Sequence, residues 1–342
     1  MRLRYRRRMI RRLLATLSLI MALCDPLSAR ERVTVGTRQV ADSGALFLAA
    51  AQGYFKDEGL DVEMIAYRSD KDVADAVALG ATDFGLSAFT PAAFSHAGRG
   101  LIKAVAAQVR EKRDYEGNTI VASNMAYAKS LRKPEDLAGK VVAISQLGSA
   151  YYYQLAQIAR AKKFDFNSIT LKPLQTIDAM ARAVGNNKVD AAIMPTQYAR
   201  ELMLADQAKL IGWYSEIDEQ QLGALFANGK TIATKRATVE KFVRAYRRGA
   251  GDYAQMVRYE RGGKRVANMR TRELATVIAR YVYPGRPLGA AAATVEAGAY
   301  YMDPQARLDG ADIARQVEWY KAQGLIDKSI DAASIVDAGF FK

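Results

Sequence analysis

Few residues in this chain are equipped for covalent or metal chemistry. His96 is the only histidine and Cys24 the only cysteine in 342 residues. Common zinc sites need several His or Cys ligands, and a nucleophile–base relay needs a histidine beside its nucleophile. His96 stands late in a helical segment opened by Pro91, just before Ala97-Gly98, where a solvated helix end is expected. Asp218 and Glu219 are adjacent carboxylates, and nothing in the pattern sets a second acid across a cleft from them. No G-x-x-x-x-G-K-[ST] phosphate loop occurs. The inventory favours binding over catalysis, with no cofactor and no metal.

Recognition then falls to side chains in loops that follow β-prone segments, because ligands in open α/β sheets bind outside the carboxyl ends of the strands. These loops are 37–44, 87–90, 146–151, 195–197 and 213–218. Gln146-Leu147-Gly148-Ser149-Ala150 ends a strand and opens a helix, so free N–H groups and the helix dipole there favour an anion, and Gly148 permits close approach. Ser149 would also serve as N-cap. Ser87, Phe89 and Thr90 repeat the arrangement before Pro91, with Phe89 either facing a ligand or buried between sheet and helix. Arg38 and Arg200 are the arginines near these loops; Arg38, which follows the first strand, is either an anion clamp or a solvated side chain. Asp42 and Ser43 precede the first helix, Asp42 as its cap or, alternatively, as partner to a cationic ligand group. Of Tyr151-Tyr152-Tyr153, neighbours about 100° apart cannot share a face, and Tyr151 is nearest the loop. Pro195, Thr196 and Gln197 form another strand-end loop, and Trp213 either walls the pocket or fills core.

The elements that must position these loops alternate. Strands are expected over 33–35, 62–65, 84–86, 104–109, 119–122, 140–144, 169–171, 191–194 and 209–212. Helices are expected over 45–52, 72–79, 91–97, 151–161, 177–184 and 197–204. That order argues for doubly wound parallel sheets. From about Leu222 the chain reads as mostly helical, with helices over 239–255, 271–280 and 313–323. Gly80-Ala81-Thr82-Asp83-Phe84 and Gly185 to Ala192 each place an Asp after a helix-stopping glycine and before a small-residue strand, as two similar lobes would.

The N-terminus reads as an export signal. Arg2, Arg4, Arg6, Arg7, Arg8, Arg11 and Arg12 precede an apolar run from Leu13 to Cys24, with Ser28-Ala29 behind it. The run is shorter than the roughly 20 residues needed to span a bilayer. The arginines also resemble a twin-arginine signal. Leu23 before Cys24 disfavours lipidation, and cleavage after Ala29 leaves no cysteine. Residues 1–29 hold seven Arg and one Asp, +6 of the net +14, which leaves +8 on the remainder. Those charges are interspersed with acids, without a single basic stripe or nucleic-acid motif. About 313 mature residues exceed one comfortable core and suggest two domains.

Ala45 to Glu63, Pro134-Glu135-Asp136-Leu137-Ala138-Gly139-Lys140-Val141-Val142, Val189-Asp190-Ala191-Ala192-Ile193 and Val317 to Ile326 together resemble the SsuA/THI5-like (NMT1/TauA-like) solute-binding proteins of ABC importers for sulfonates, nitrate and thiamine precursors. The resemblance implies a type II periplasmic-binding-protein clamshell, each lobe a doubly wound α/β sheet flanked by helices. Lobe 1 would hold residues 30–117 plus 222–342 and lobe 2 residues 118–221. It implies a periplasmic monomer that closes by hinge motion on a small anionic organic solute, a sulfonate or carboxylate, and docks on an ABC permease and its ATPase, with no nucleic-acid partner. A ligand sensor or scavenger on the same fold, or a thiamine-pyrimidine-related protein, are the alternatives. The branch of the family that makes the thiamine pyrimidine carries a cysteine-rich motif and an essential histidine, and this chain has neither.

Overall fold

A computed structural model describes residues 30–257 and 266–340. Cys24, the arginine-rich segment and the cleavage position near Ala29 lie outside the described residues. Two five-stranded sheets form the frame. The first contains β1 (Glu31–Thr37), β2 (Leu60–Ala66), β3 (Phe84–Ala88), β4 (Ile102–Ala107) and β12 (Gly223–Asn228), in the order β2-β1-β3-β12-β4. The second contains β6 (Asn118–Ser123), β7 (Val141–Ile144), β8 (Thr170–Pro173), β9 (Ala191–Pro195) and β10 (Ala208–Trp213), in the order β8-β7-β9-β6-β10. Between them, β5 (Arg110–Glu111) and β11 (Gln220–Gln221) pair antiparallel where the chain passes from one sheet to the other and back.

The two sheets follow one plan. β1 pairs parallel with β2 and β3, as β7 does with β8 and β9. β12 and β6 occupy the same slot, and each is antiparallel to both neighbours. Each is the strand laid down directly after the chain crosses between sheets. The sheets are therefore mixed, where the alternating pattern predicts wholly parallel ones. β12 also interrupts the region expected to be helical from Leu222. All its residues are buried, so its sequence, Gly-Ala-Leu-Phe-Ala-Asn, has no polar face to produce a period-two signal.

Strand alternation divides each sheet's side chains between two cores. In the first, Phe84, Leu86, Val105 and Leu225 pack beneath the helices Gly44–Ala51, Arg236–Ala254 and Met269–Val282. Ala104, Ala224 and Phe226 meet the helices Pro91–Gly98 and Gly310–Ala322 on the other face. In the second, Ile120 and Val121 part to opposite faces, toward helix Ala150–Lys162 and toward helices Ile177–Gly185 and Thr196–Leu204 respectively.

The two glycine–aspartate echoes do one structural job. Asp83, just before β3, accepts hydrogen bonds from the Thr34 amide at 3.0 Å and hydroxyl at 3.1 Å, at the start of β1. Asp190, just before β9, accepts from the Val141 amide of β7 at 2.8 Å. In each sheet the carboxylate satisfies an N–H of the neighbouring parallel strand.

Candidate functional site

Strand ends facing each other across two such sheets place helix starts opposite helix starts. A cavity of about 300 Å³ lies between them. Ser43, Ser69, Thr90, Ser149 and Thr176 all line it, and each is the N-cap of a helix, beginning respectively at Gly44, Asp70, Pro91, Ala150 and Ile177. Four of these side chains accept from a backbone N–H within the first turn: Ser69 from Asp72, Thr90 from Ala93, Ser149 from Tyr152 and Thr176 from Ala179. The Ser43 hydroxyl instead meets that of Thr37 at 2.9 Å. Five positive dipole ends thus converge on one space.

Of the expected site residues, Arg38, Asp42, Ser43, Thr90, Ser149 and Tyr151 line this cavity. Arg38 is paired rather than solvated, its Nη1 3.0 Å from Asp70 Oδ2, and the charge of Asp70 pushes its pKa up. Asp70 also accepts from the Ala88 amide at 3.0 Å. Arg200, the other arginine near a candidate loop, pairs with Glu116 at 2.9 Å. Asp42 caps neither its own 3-10 turn, Ala41–Ser43, nor the helix that follows. Burial raises its pKa to about 6, against the pull of Arg38. Tyr151 reaches the cavity, whereas the Tyr152 ring packs edge-on to Phe166 and Trp319, and Tyr153 is fully buried against Trp319 and Tyr320.

Seven expected residues are not among the cavity's lining. Phe89 is core: it stacks on Phe94 with centroids 5.1 Å apart and meets Phe226 edge-on. Ser87 is buried within β3. Pro195 is in register with Asn118 inside the second sheet, and the Thr196 hydroxyl donates to the Gly117 carbonyl. The Gln197 side chain packs on Gly298. Trp213 sits in register with Thr119 on β10. Gly148 has φ +80° and lies against Pro91, so it joins the two sheets beside the cavity. Its carbonyl accepts from the buried Tyr320 hydroxyl at 3.0 Å. Tyr320→Phe is expected to cost about 1 kcal/mol, the net worth of one buried hydrogen bond, seen as a fall in Tm of a few degrees in a thermal melt.

Sequence reasoning passed over Ser69, Asp70 and Thr176, although each follows a strand and opens a helix by the same rule that marks Ser149. Tyr300 and Asn118 carry no such signal. They meet through 182 positions of chain, the Tyr300 hydroxyl donating to Asn118 Oδ1 at 2.6 Å. His96 lies outside the cavity and is not the solvated helix-end residue that the sequence suggests. It is largely buried between Asp75, 2.7 Å from Nε2, and Arg99, 2.7 Å from Nδ1, so Arg99 fixes Nδ1 as acceptor and Nε2 donates to Asp75. No group of three or more His, Cys, Asp or Glu positioned to hold a metal occurs among the described residues.

No curated protein sequence matches this chain. Among solved structures it is similar to the periplasmic aliphatic sulphonate binding protein SsuA from Escherichia coli, at 15% identity and TM-score 0.70, covering 91% of this chain and 99% of that one. It is also similar to the alkanesulfonate-binding protein SsuA from Xanthomonas axonopodis pv. citri bound to MOPS, at 18% identity and TM-score 0.66, covering 90% and 98%. A desulfurization enzyme, DSZB, solved as a cysteine-to-serine mutant in complex with biphenyl-2-sulfinic acid, shares the fold at 13% identity and TM-score 0.61, covering 91% and 98%. The architecture is that of a two-lobed periplasmic binding protein, a fold that carries both binders and an enzyme. The profile of the NMT1/THI5-like family matches residues 41–256, more than half of the chain, and the chain belongs to that family.

Proposed function

We propose that this chain is an extracytoplasmic solute-binding protein that takes a small anionic organic solute, of sulfonate or carboxylate type, between its lobes and delivers it to an ABC importer. The carrying observation is the convergence of five helix N-caps on one cavity, supported by Arg38 at its wall. Tyr151, Tyr198 and Tyr300 supply aromatic surface for a solute larger than nitrate. Residues 30–117 with 222–342 would move as one lobe and 118–221 as the other, about the β5–β11 pair. Solute binding favours the closed form because only that form contacts it from both sides. A permease and its ATPase are the partners of the closed monomer. The arginine-rich N-terminus supports export to the periplasm with cleavage near Ala29, and no helix among the described residues is long and apolar enough to cross a membrane.

A thermal-shift screen of residues 30–342 against sulfonates, carboxylates, nitrate and thiamine-pyrimidine precursors tests this reading. Solute at a hundred times its Kd should stabilise by about 2.7 kcal/mol, a shift of several degrees. A saturable shift with a sulfonate or carboxylate, the compound recovered unchanged, is the expected result. Recovery of a converted product would favour the enzyme reading that the DSZB likeness raises. No shift with any of them on folded protein would contradict the proposal.

A further inference from the structure

A network of buried polar side chains runs through the crossing between the sheets and meets the cavity only at Asn118 and Tyr300. Its centre is Glu111, on β5. Glu111 Oε1 accepts from the Asn118 amide, at the start of β6, at 2.9 Å and from Gln154 Nε2, on helix Ala150–Lys162, at 3.4 Å. The Tyr300 hydroxyl donates to Asn118 Oδ1. Gln220, on β11, accepts from Gln154 at 2.9 Å and donates to Gln316, on helix Gly310–Ala322, at 3.5 Å. All six side chains are buried. Glu111 Oε2 has no partner and presses on Gly117, where a Cβ would lie only 1.7 Å from it. The titratable groups that bear on Glu111 are acids, Asp42 from the cavity wall and the phenols of Tyr214 and Tyr300. Arg110, next to it in the chain, gives its guanidinium to Glu219 and Asp309. An ionised Glu111 would therefore leave a charged oxygen buried with neither donor nor cation.

Tyr300 and Gln316 belong to one proposed lobe, Asn118 and Gln154 to the other, and Glu111 and Gln220 to the paired strands between them. Rotation about β5 and β11 must lengthen links in this network, and water entering there would give Oε2 the donors it lacks. Resting on the hinge motion proposed above, we infer that Glu111 is a proton-operated catch on the hinge: with its proton the lobes keep the arrangement seen here, and once the proton passes to water they part. Burial holds the acid's pKa at about 8 in this arrangement, and solvent in the parted one returns it toward the usual 4.5. The arrangement seen here is therefore favoured fully below about pH 4.5, progressively less as pH rises, and no longer by this group above about pH 8.

Residues 30–342 contain no cysteine, so nitroxide labels at Arg68→Cys and Asp178→Cys, exposed positions on opposite sides of the cavity, report the lobe separation by pulsed electron spin resonance. No solute is added, so the result does not depend on which solute the protein takes. Between pH 5.5 and 8.5 the ratio of short to long distances is expected to fall about tenfold or more, the factor that one unit of pKa difference between the two arrangements supplies. Glu111→Gln should keep the short distance across that range. Glu111→Met, also neutral at every pH, serves as a second variant, and thermal melts at both pH values confirm that each protein folds. A distance that does not change with pH in the parent protein overturns the catch and leaves the solute-binding reading to the thermal screen. A pH-dependent separation that survives both substitutions also overturns it, and assigns the effect to another group such as Asp42.

Discussion

Arg38→Ala is expected to lower affinity for the anionic solute by about 30-fold or more, the lower end of the 2–5 kcal/mol lost when one partner of a buried, hydrogen-bonded charge pair is truncated. Two acids, Asp42 and Asp70, would then face the cavity without their cation. The Arg38 and Asp70 side chains keep 28% and 23% of their exposure, so solvent screens part of the effect, which places the expectation at that lower end. Asp70 would keep its bond from the Ala88 amide, so the fold should survive. Arg38→Lys retains the charge but not the planar fork, and an intermediate loss is expected. Titration calorimetry with the solute found by the screen provides the check. A loss smaller than threefold in the alanine variant would mean that Arg38 does not contribute to the site.

The second large effect lies at the crossing between the sheets. Glu111, on β5, is fully buried. Its Oε1 accepts from the Asn118 amide at 2.9 Å and from Gln154 Nε2 at 3.4 Å, while Oε2 has no partner and rests against Gly117. Gln154 continues to Gln220 on β11 at 2.9 Å, so one polar chain ties β5, β11 and β6 together. Burial raises the Glu111 pKa from the usual 4.5 to about 8, the two hydrogen bonds opposing it. The folded state thus holds a proton that the unfolded chain has released throughout that interval. Folding stability from this group is full below about pH 4.5, falls as pH rises, and is gone above about pH 8, at up to about 1.4 kcal/mol per pH unit. Acids with depressed pKa values, among them Glu219 beside Lys112 and Asp309 beside Arg110, act oppositely at low pH. The difference between wild type and Glu111→Gln therefore isolates the effect. The glutamine variant, which keeps the shape and the acceptor, is expected to gain on wild type steadily from pH 5 to 8 in denaturant melts. Glu111→Ala should lose roughly 3 kcal/mol or more at neutral pH, from a cavity and two stranded donors. A wild-type-minus-glutamine difference that is flat with pH would refute the buried protonated acid.

How far the sequence discloses this molecule depends on how local each signal is. Helix starts at Thr90-Pro91 and Ser149-Ala150 are written in adjacent residues, and the structure forms both. The glycine–aspartate echoes are equally local and mark equivalent junctions of two sheets with one plan. β12 was hidden because it is buried on both faces, and so were β5 and β11, two residues each, which exist only as partners of one another. Phe89 and Trp213 show the limit from another side. A strand-end position brings a residue near the cavity, but the choice between core and cavity depends on neighbours such as Phe94 and Phe226 that arrive from elsewhere in the chain. Tyr300 lines the cavity from a segment with no strand before it, and only the tertiary fold brings it to Asn118.

The central claim is that solute binds between the sheets, on helix starts. A crystal structure grown with the best ligand from the thermal screen tests it most directly. The account predicts density in the cavity, with the acid group within hydrogen-bonding distance of backbone N–H groups at Ala150 or Tyr151 and with Arg38 at its wall. Solute bound elsewhere on the molecule, with this cavity holding only solvent, would contradict it.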